Sequence, residues 1–245
     1  MKKLLYLILI IGLSNSIAYS QSASKHSLQV NITPLYSFRS LTNYKDNLDQ
    51  LKKFRENSDK YAYTFNAGLL YSYPISQKLS ISTGFGYTVY GIDLEGDIEI
   101  TTPDQPDGTG EKGEFESTLR YTYWDVPLYF NYIFLNTPKY KFTATLGGEY
   151  NYLKGAIYSG KTTLNGKVLR EETFNDLENY SKSYNKENTS IVVGVSIETA
   201  ISDKLSLSLQ PNFRKQLESQ YISEKAVFEQ RQYAYGCTIG IRYSL

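Results

Sequence analysis

Charged side chains set among alternating apolar positions are the residues of this chain with the most chemistry to offer. Arg120, Asp125, Glu149, Glu198, Arg214 and Arg242 fall on the polar side of a period-two pattern, three acids and three bases. Unpaired charges in a narrow interior are costly, so this set predicts ion pairs. It would serve either as a structural plug or as a gate on a narrow ion path. Asp125, Glu149 and Arg214 should share a height, with Arg120 above them and Glu198 and Arg242 near the opposite rim. Asp125 and Glu149 could face each other on neighbouring strands, and paired carboxylates can share a proton and do acid–base work. With Arg120 and Arg214 nearby, a salt-bridge network accounts for them more simply than catalysis.

Other reactive residue types are scarce. The 245 residues include one His and one Cys, which excludes a disulfide framework and a Cys-rich zinc site and leaves little room for His-based catalysis. No catalytic residue, cofactor-binding residue or metal ligand set is assigned. Lys and Arg number 26 against 25 Asp and Glu, so no basic face for nucleic acid is expected. Residues 93–116 hold Asp93, Glu95, Asp97, Glu99, Asp104, Asp107, Glu111, Glu114 and Glu116 against Lys112 alone. Calcium favours oxygen-rich loops, but the spacing of a ligand motif is missing. A solvated loop, or one bridged by divalent ions to lipopolysaccharide, is the expectation.

The elements that position these residues are strands. Residues 1–20 read as a signal peptide: a basic start, an apolar run over 4–13, and Ala18 and Ser20 before a cut ahead of Gln21. Removing Lys2 and Lys3 takes the charge from +1 to −1, and residues 21–245 form one domain. Apolar residues then recur at every second position in eight segments. They begin near Leu28, Tyr61, Leu79, Ser117, Tyr140, Ile191, Leu205 and Tyr233.

Connections near 74–77, 135–139 and 202–203 are short, whereas 40–60, 93–116, 155–188 and 218–231 are long. Strict alternation of short and long fits an up-and-down membrane barrel and not a Greek-key sandwich. The fold predicted is all-β: an eight-stranded antiparallel up-and-down transmembrane β-barrel with short periplasmic turns and long external loops. With its apolar face toward lipid, its partners would be outer-membrane lipid and lipopolysaccharide. A protein could also meet the external loops, and no nucleic acid is expected.

The 24 Tyr fit this arrangement, because Tyr suits the lipid–water boundary. Tyr61/Tyr63 and Tyr71/Tyr73 bracket about 25 Å of tilted strand, the height of an apolar band. Tyr36/Phe38, Tyr121/Tyr123, Tyr150/Tyr152 and Tyr233/Tyr235 would form the outer belt, and Tyr132/Phe134, Tyr140/Phe142 and Tyr243 the inner one. The fourth segment changes parity after Tyr123, which predicts a β-bulge near Tyr123-Trp124 or a Tyr123 that points into the lumen. Tyr44, Leu48, Leu51 and Phe54 have helical spacing, with Thr42 or Asn43 as N-cap, for a short helix that covers the mouth or meets a partner.

Tyr123-Trp124-Asp125-Val126-Pro127-Leu128, the stretch from Phe142 to Tyr152, and the ending Gly240-Ile241-Arg242-Tyr243-Ser244-Leu245 resemble the small outer-membrane β-barrel families of Bacteroidota, the PorT-like group among them. Leu245 departs from the aromatic ending more usual in such barrels. The resemblance implies the barrel fold and an outer-membrane location, and the PorT-like label implies a part in protein secretion. The function expected is a non-enzymatic structural, adhesion or assembly/secretion-partner role through the external loops. A narrow pore or transport accessory is the first alternative and an outer-membrane-embedded enzyme the second. His26 speaks against the enzyme, because it falls at the end opposite the external rim. Cys237 is expected as a small lipid-facing hydrophobe.

Overall fold

The computed structural model describes residues 26–43, 49–100, 111–175, 183–222 and 228–245. The expected signal peptide and its cleavage site lie outside these residues. The elements in chain order are β1 (Ser27–Asn43), α1 (Asp49–Ser58), β2 (Asp59–Pro74), β3 (Leu79–Ile100) and β4 (Glu111–Asn136). They continue with β5 (Tyr140–Leu164), β6 (Lys167–Asn175), β7 (Glu187–Ala200), β8 (Leu205–Gln216) and β9 (Phe228–Ser244).

All strand pairings are antiparallel. They run β1–β2–β3–β4–β5–β7–β8–β9, and β9 returns to β1. Eight strands therefore form the ring. A ninth, β6, lies outside it, paired with the outer part of β5. The eight ring strands match the eight alternating segments. The extra hairpin falls within what the sequence suggested was a long third loop. Its turn is Asn165-Gly166, with φ of 49° and 76°. Two successive left-handed residues make the type I′ geometry that suits the right-handed twist of paired strands.

Period-two alternation sorts side chains by face. Val30, Ile32, Leu69, Phe85, Leu128, Leu146, Val193 and Ile239 stand exposed on the outside. An apolar surface this continuous belongs in lipid, since water-soluble monomers rarely show one. Thr33, Asn66, Thr145, Asn151, Ser190 and Asn212 fill the inside. Cys237 is on the outer face and exposed. Tyr36, Tyr61, Tyr63 and Tyr235 form part of the outer girdle, with Phe38 stacked on Tyr233 at 5.3 Å. Tyr132, Phe134, Tyr140 and Tyr243 stand exposed at the other end.

β4 corrects two expectations. Its odd-numbered residues face inward from Gly113 to Tyr129 without a change of parity. Tyr121 and Tyr123 are thus fully buried in the lumen, as the alternative reading of Tyr123 has it, and do not belong to the outer belt. The irregularity at this level lies on β5, where Lys154 is the extra residue between pairs Thr122↔Gly155 and Tyr123↔Leu153. A bulge on the partner strand shifts facing there and leaves β4 in phase.

The acidic segment also differs from expectation. β3 and β4 run on as a paired ribbon to Ile100↔Glu111. Most of the acids therefore sit on strands, while Asp104 and Asp107 lie outside the described residues. Helix α1 starts later than the spacing suggested. Tyr44 and Leu48 lie outside the described residues, and Thr42 and Asn43 belong to β1. Leu51 and Phe54 are exposed, so α1 is not held by an apolar face. Arg55 instead lies 5.3 Å from the centroid of the Phe228 ring, and Ser58 Oγ donates to Phe54 O at 3.1 Å.

Candidate functional site: the lumen charge layers

Inward-facing positions of β2, β3, β4, β5, β7 and β8 converge on a middle layer. Arg214 Nη1 donates to Glu149 Oε1 at 2.8 Å, and both side chains are nearly inaccessible, at 5% and 2% exposure. Tyr129 OH donates to the same carboxylate oxygen. Arg214 also donates to Asn66 Oδ1 at 3.2 Å and to Asn212 Oδ1 at 3.3 Å.

Asp125 takes different partners. Asn151 Nδ2 donates to its Oδ1 at 2.6 Å, and Thr88 Oγ1 donates to Oδ2. Register explains this: Asp125 stands opposite Asn151, and Glu149 opposite Pro127, so the two carboxylates are offset by two residues. Asn66 Nδ2 donates to Thr88 Oγ1 at 2.7 Å, which links Asp125 to Arg214 through two neutral side chains. Buried polar groups joined this way hold one another in place.

A lower layer lies toward the short turns. Glu198 accepts from Lys141 Nζ at 2.6 Å, from Arg242 Nη1 at 2.8 Å and from Ser206 Oγ at 2.9 Å. Arg242 also donates to Gln29 Oε1 at 2.7 and 2.9 Å. Lys141 was missed in the sequence because it sits one residue into β5, between Tyr140 and Phe142. Its odd number, shared with inward-facing Thr143 and Thr145, was the available signal. Between the two layers is a polar cavity of about 40 Å³, lined by Asn31, Asn131, Thr143, Gln210 and Thr238 among others, with room for a few waters.

Arg120 does not join these layers. It lies on the outer face of β4, across Gly91, and pairs with Asp93 at 2.6 Å with 28% and 27% exposure. Its place is at the outer girdle, on the face shared with Trp124. The outer third of the lumen holds another pair instead, Arg39 Nε to Asp59 Oδ2 at 2.7 Å, with Arg39 Nη1 donating to Gln230 Oε1 at 3.0 Å.

Between this pair and the middle layer the lumen is filled by Leu35, Tyr90, Ile92, Leu119, Tyr121 and Tyr123 with their neighbours. Two loop segments close over them. Asn185 N–H donates to Gln220 O at 3.0 Å, Tyr184 and Tyr221 form a bridge, and Tyr123 OH donates to Gln220 Oε1. His26 sits at the opposite rim, with Nδ1 hydrogen-bonded to Tyr71 OH. Among the described residues no cluster of three or more potential metal ligands assembles.

The family described as "Outer membrane protein beta-barrel domain" matches residues 19–214. No curated protein gives a significant match. Among solved structures, Neisserial surface protein A (NspA) is similar at 12% identity and a TM-score of 0.40, covering 92% of this chain and 100% of its own. Ail of Yersinia pestis is similar at 10% identity and a TM-score of 0.36, covering 89% and 99%. The outer membrane protease OmpT of Escherichia coli is similar at 10% identity and a TM-score of 0.46, covering 94% and 100%.

Proposed function

We propose, from the premise that this chain belongs to the Outer membrane protein beta-barrel domain family, that it is a non-enzymatic surface protein acting through its external wall. The protein is an outer-membrane β-barrel of a Gram-negative bacterium. The observation that carries the reading is the one-sided extension of β3, β4, β5 and β6. The stretch from Tyr152 at the outer girdle to Leu164 corresponds to roughly 30 Å of rise at ~3.3 Å per residue and ~40° tilt. β6 is the outermost strand of this wall, and its Val168 and Leu169 are exposed. Structural, adhesion and assembly or secretion-partner roles all use such a surface. Lipopolysaccharide and a protein at the wall are the partners in this reading. The chain's one imidazole is engaged with Tyr71 at the far rim, which supports a role without catalysis.

A photo-crosslinking residue at Val168 in whole cells tests it against one at Val193 on the lipid face. The expected result is a discrete protein adduct from position 168 and none from 193. The reading is overturned if a barrel lacking the β5–β6 hairpin, still heat-modifiable in detergent, keeps every cell-surface phenotype of the intact protein. The pore alternative draws on the polar cavity, and single-channel recording on the intact barrel addresses it.

A further inference from the structure

The three short turns are built alike. Ser76-Gln77-Lys78-Leu79 joins β2 to β3, Thr137-Pro138-Lys139-Tyr140 joins β4 to β5, and Ser202-Asp203-Lys204-Leu205 joins β7 to β8. In each, the hydroxyl residue's N–H donates to the carbonyl three residues on: Ser76 to Leu79 O at 3.0 Å, Thr137 to Tyr140 O at 2.8 Å and Ser202 to Leu205 O at 3.0 Å. The hydroxyl oxygen accepts in return from the N–H of Leu79 at 3.1 Å, Tyr140 at 2.9 Å and Leu205 at 3.1 Å. This double tie satisfies the turn's backbone and fixes the residue before the strand. That residue is Lys every time, and all three are exposed.

Two of the three ammonium groups, those of Lys139 and Lys204, are placed against the inner girdle. Lys139 Nζ lies 5.4 Å from the Tyr140 ring centroid and Lys204 Nζ 5.6 Å from that of Tyr243. Lys204 Nζ also donates to Tyr243 OH at 3.4 Å. A lysine held over an outward-facing ring keeps its stem in the apolar layer and its charge at headgroup depth. The turns fall at three of the four corners of the ring, and the fourth is where β1 begins and β9 ends.

We propose that Lys78, Lys139 and Lys204, each held by the same kind of turn, are sites for the phosphate of anionic phospholipid headgroups in the inner leaflet of the outer membrane. A soluble partner is disfavoured by the depth of the Lys139 and Lys204 charges, set by Tyr140 and Tyr243. Interaction of a lysine with an anionic membrane surface corresponds to about fivefold in local lipid occupancy per residue.

The test counts lipid adducts on the full-length barrel by native mass spectrometry, with phosphatidylglycerol and, separately, phosphatidylcholine. Lys78→Gln/Lys139→Gln/Lys204→Gln is compared with an external control, Lys112→Gln/Lys154→Gln/Lys161→Gln. The inner triple variant should lose about fivefold in phosphatidylglycerol binding at each site, with phosphatidylcholine unchanged. Lys→Arg at the same positions should retain binding. Each single Lys→Gln variant should show the same fivefold loss at one site, which keeps the test decisive if the triple variant does not fold. Phosphatidylglycerol binding equal to wild type overturns the proposal, as does an equal loss in the external control.

Discussion

Arg214→Ala is the perturbation that asks most of the lumen. It removes the 2.8 Å ion pair to Glu149 and the hydrogen bonds to Asn66 and Asn212. Glu149 then keeps Tyr129 OH as donor, and Asp125 remains on the same network, so two buried carboxylates are left without a cation. Breaking a buried pair from one side costs about 3–5 kcal/mol, because a charge stays behind in a poor solvent. The same substitution at Arg120 breaks a pair with over a quarter of each side chain exposed, which should cost less than about 1 kcal/mol. The assay is urea unfolding of the barrel refolded into phospholipid vesicles. It is followed through Trp124, the chain's one tryptophan, which stands on the lipid face. Arg214→Ala with Glu149→Gln should recover much of the loss by restoring the balance of sign. The reasoning fails if Arg120→Ala costs as much as Arg214→Ala, or if the double variant is no more stable than the single one.

The faces of β5 separate cleanly by variant. Leu146→Arg, on lipid, should cost about 2–4 kcal/mol by the same unfolding assay, whereas Thr145→Arg should perturb through crowding and unbalanced charge in the lumen. Gly166 has φ +76°, so Gly166→Val should cost about 1–2 kcal/mol locally; faster protease nicking of the β5–β6 hairpin, with barrel heat-modifiability unchanged, would register it. At Gly84 a Cβ would stand 1.9 Å from Leu69 O, so Gly84→Ala should reduce the yield of folded barrel in outer-membrane fractions.

Legibility in the sequence followed the physics of each signal. Period two is imposed by the strand itself, so eight segments and their outer face could be read directly. Aromatic identity carries less information, because Tyr suits both a lipid boundary and a packed lumen. That ambiguity moved Tyr121 and Tyr123 to the wrong face, and Arg120 with them. One parity held along β4 would have grouped Arg120 with Trp124. The β6 hairpin was announced by Asn165-Gly166, a strong turn pair, but its short flanks of mixed charge lacked alternation. Partner choice was least legible: Asp125 and Glu149 look equivalent as inward acids, yet a two-residue offset in register gives one an arginine and the other two neutral donors. Register is a property of strand pairs and cannot be read from either strand alone.

The distribution of charge by height bears on the choice between plug and pore. The described lumen layers hold Arg39 with Asp59, Asp125 with Glu149 and Arg214, and Lys141 and Arg242 with Glu198. The signs cancel over the whole column but not within each layer: the middle has an excess acid and the lower layer an excess base. An ion crossing from outside would first have to displace the Tyr121 and Tyr123 packing and the loop segments bonded above it. It would then meet a middle layer that attracts cations, followed by a lower layer that repels them. An anion meets the reverse order. Opposed fields in series disfavour either species while the ion pairs hold, and a neutral layer would lack that effect. The same argument locates the weak point. A variant that neutralises the lower excess, Lys141→Gln, removes the barrier to cations without touching the Arg214–Glu149 pair. It should leave conductance unchanged from wild type if the aromatic layer is the seal. Combined with removal of the Leu217–Ile222 loop segment, it should conduct cations ahead of anions. Equal passage of both ions in that double variant would show that the charge layers do not set the selectivity of the lumen.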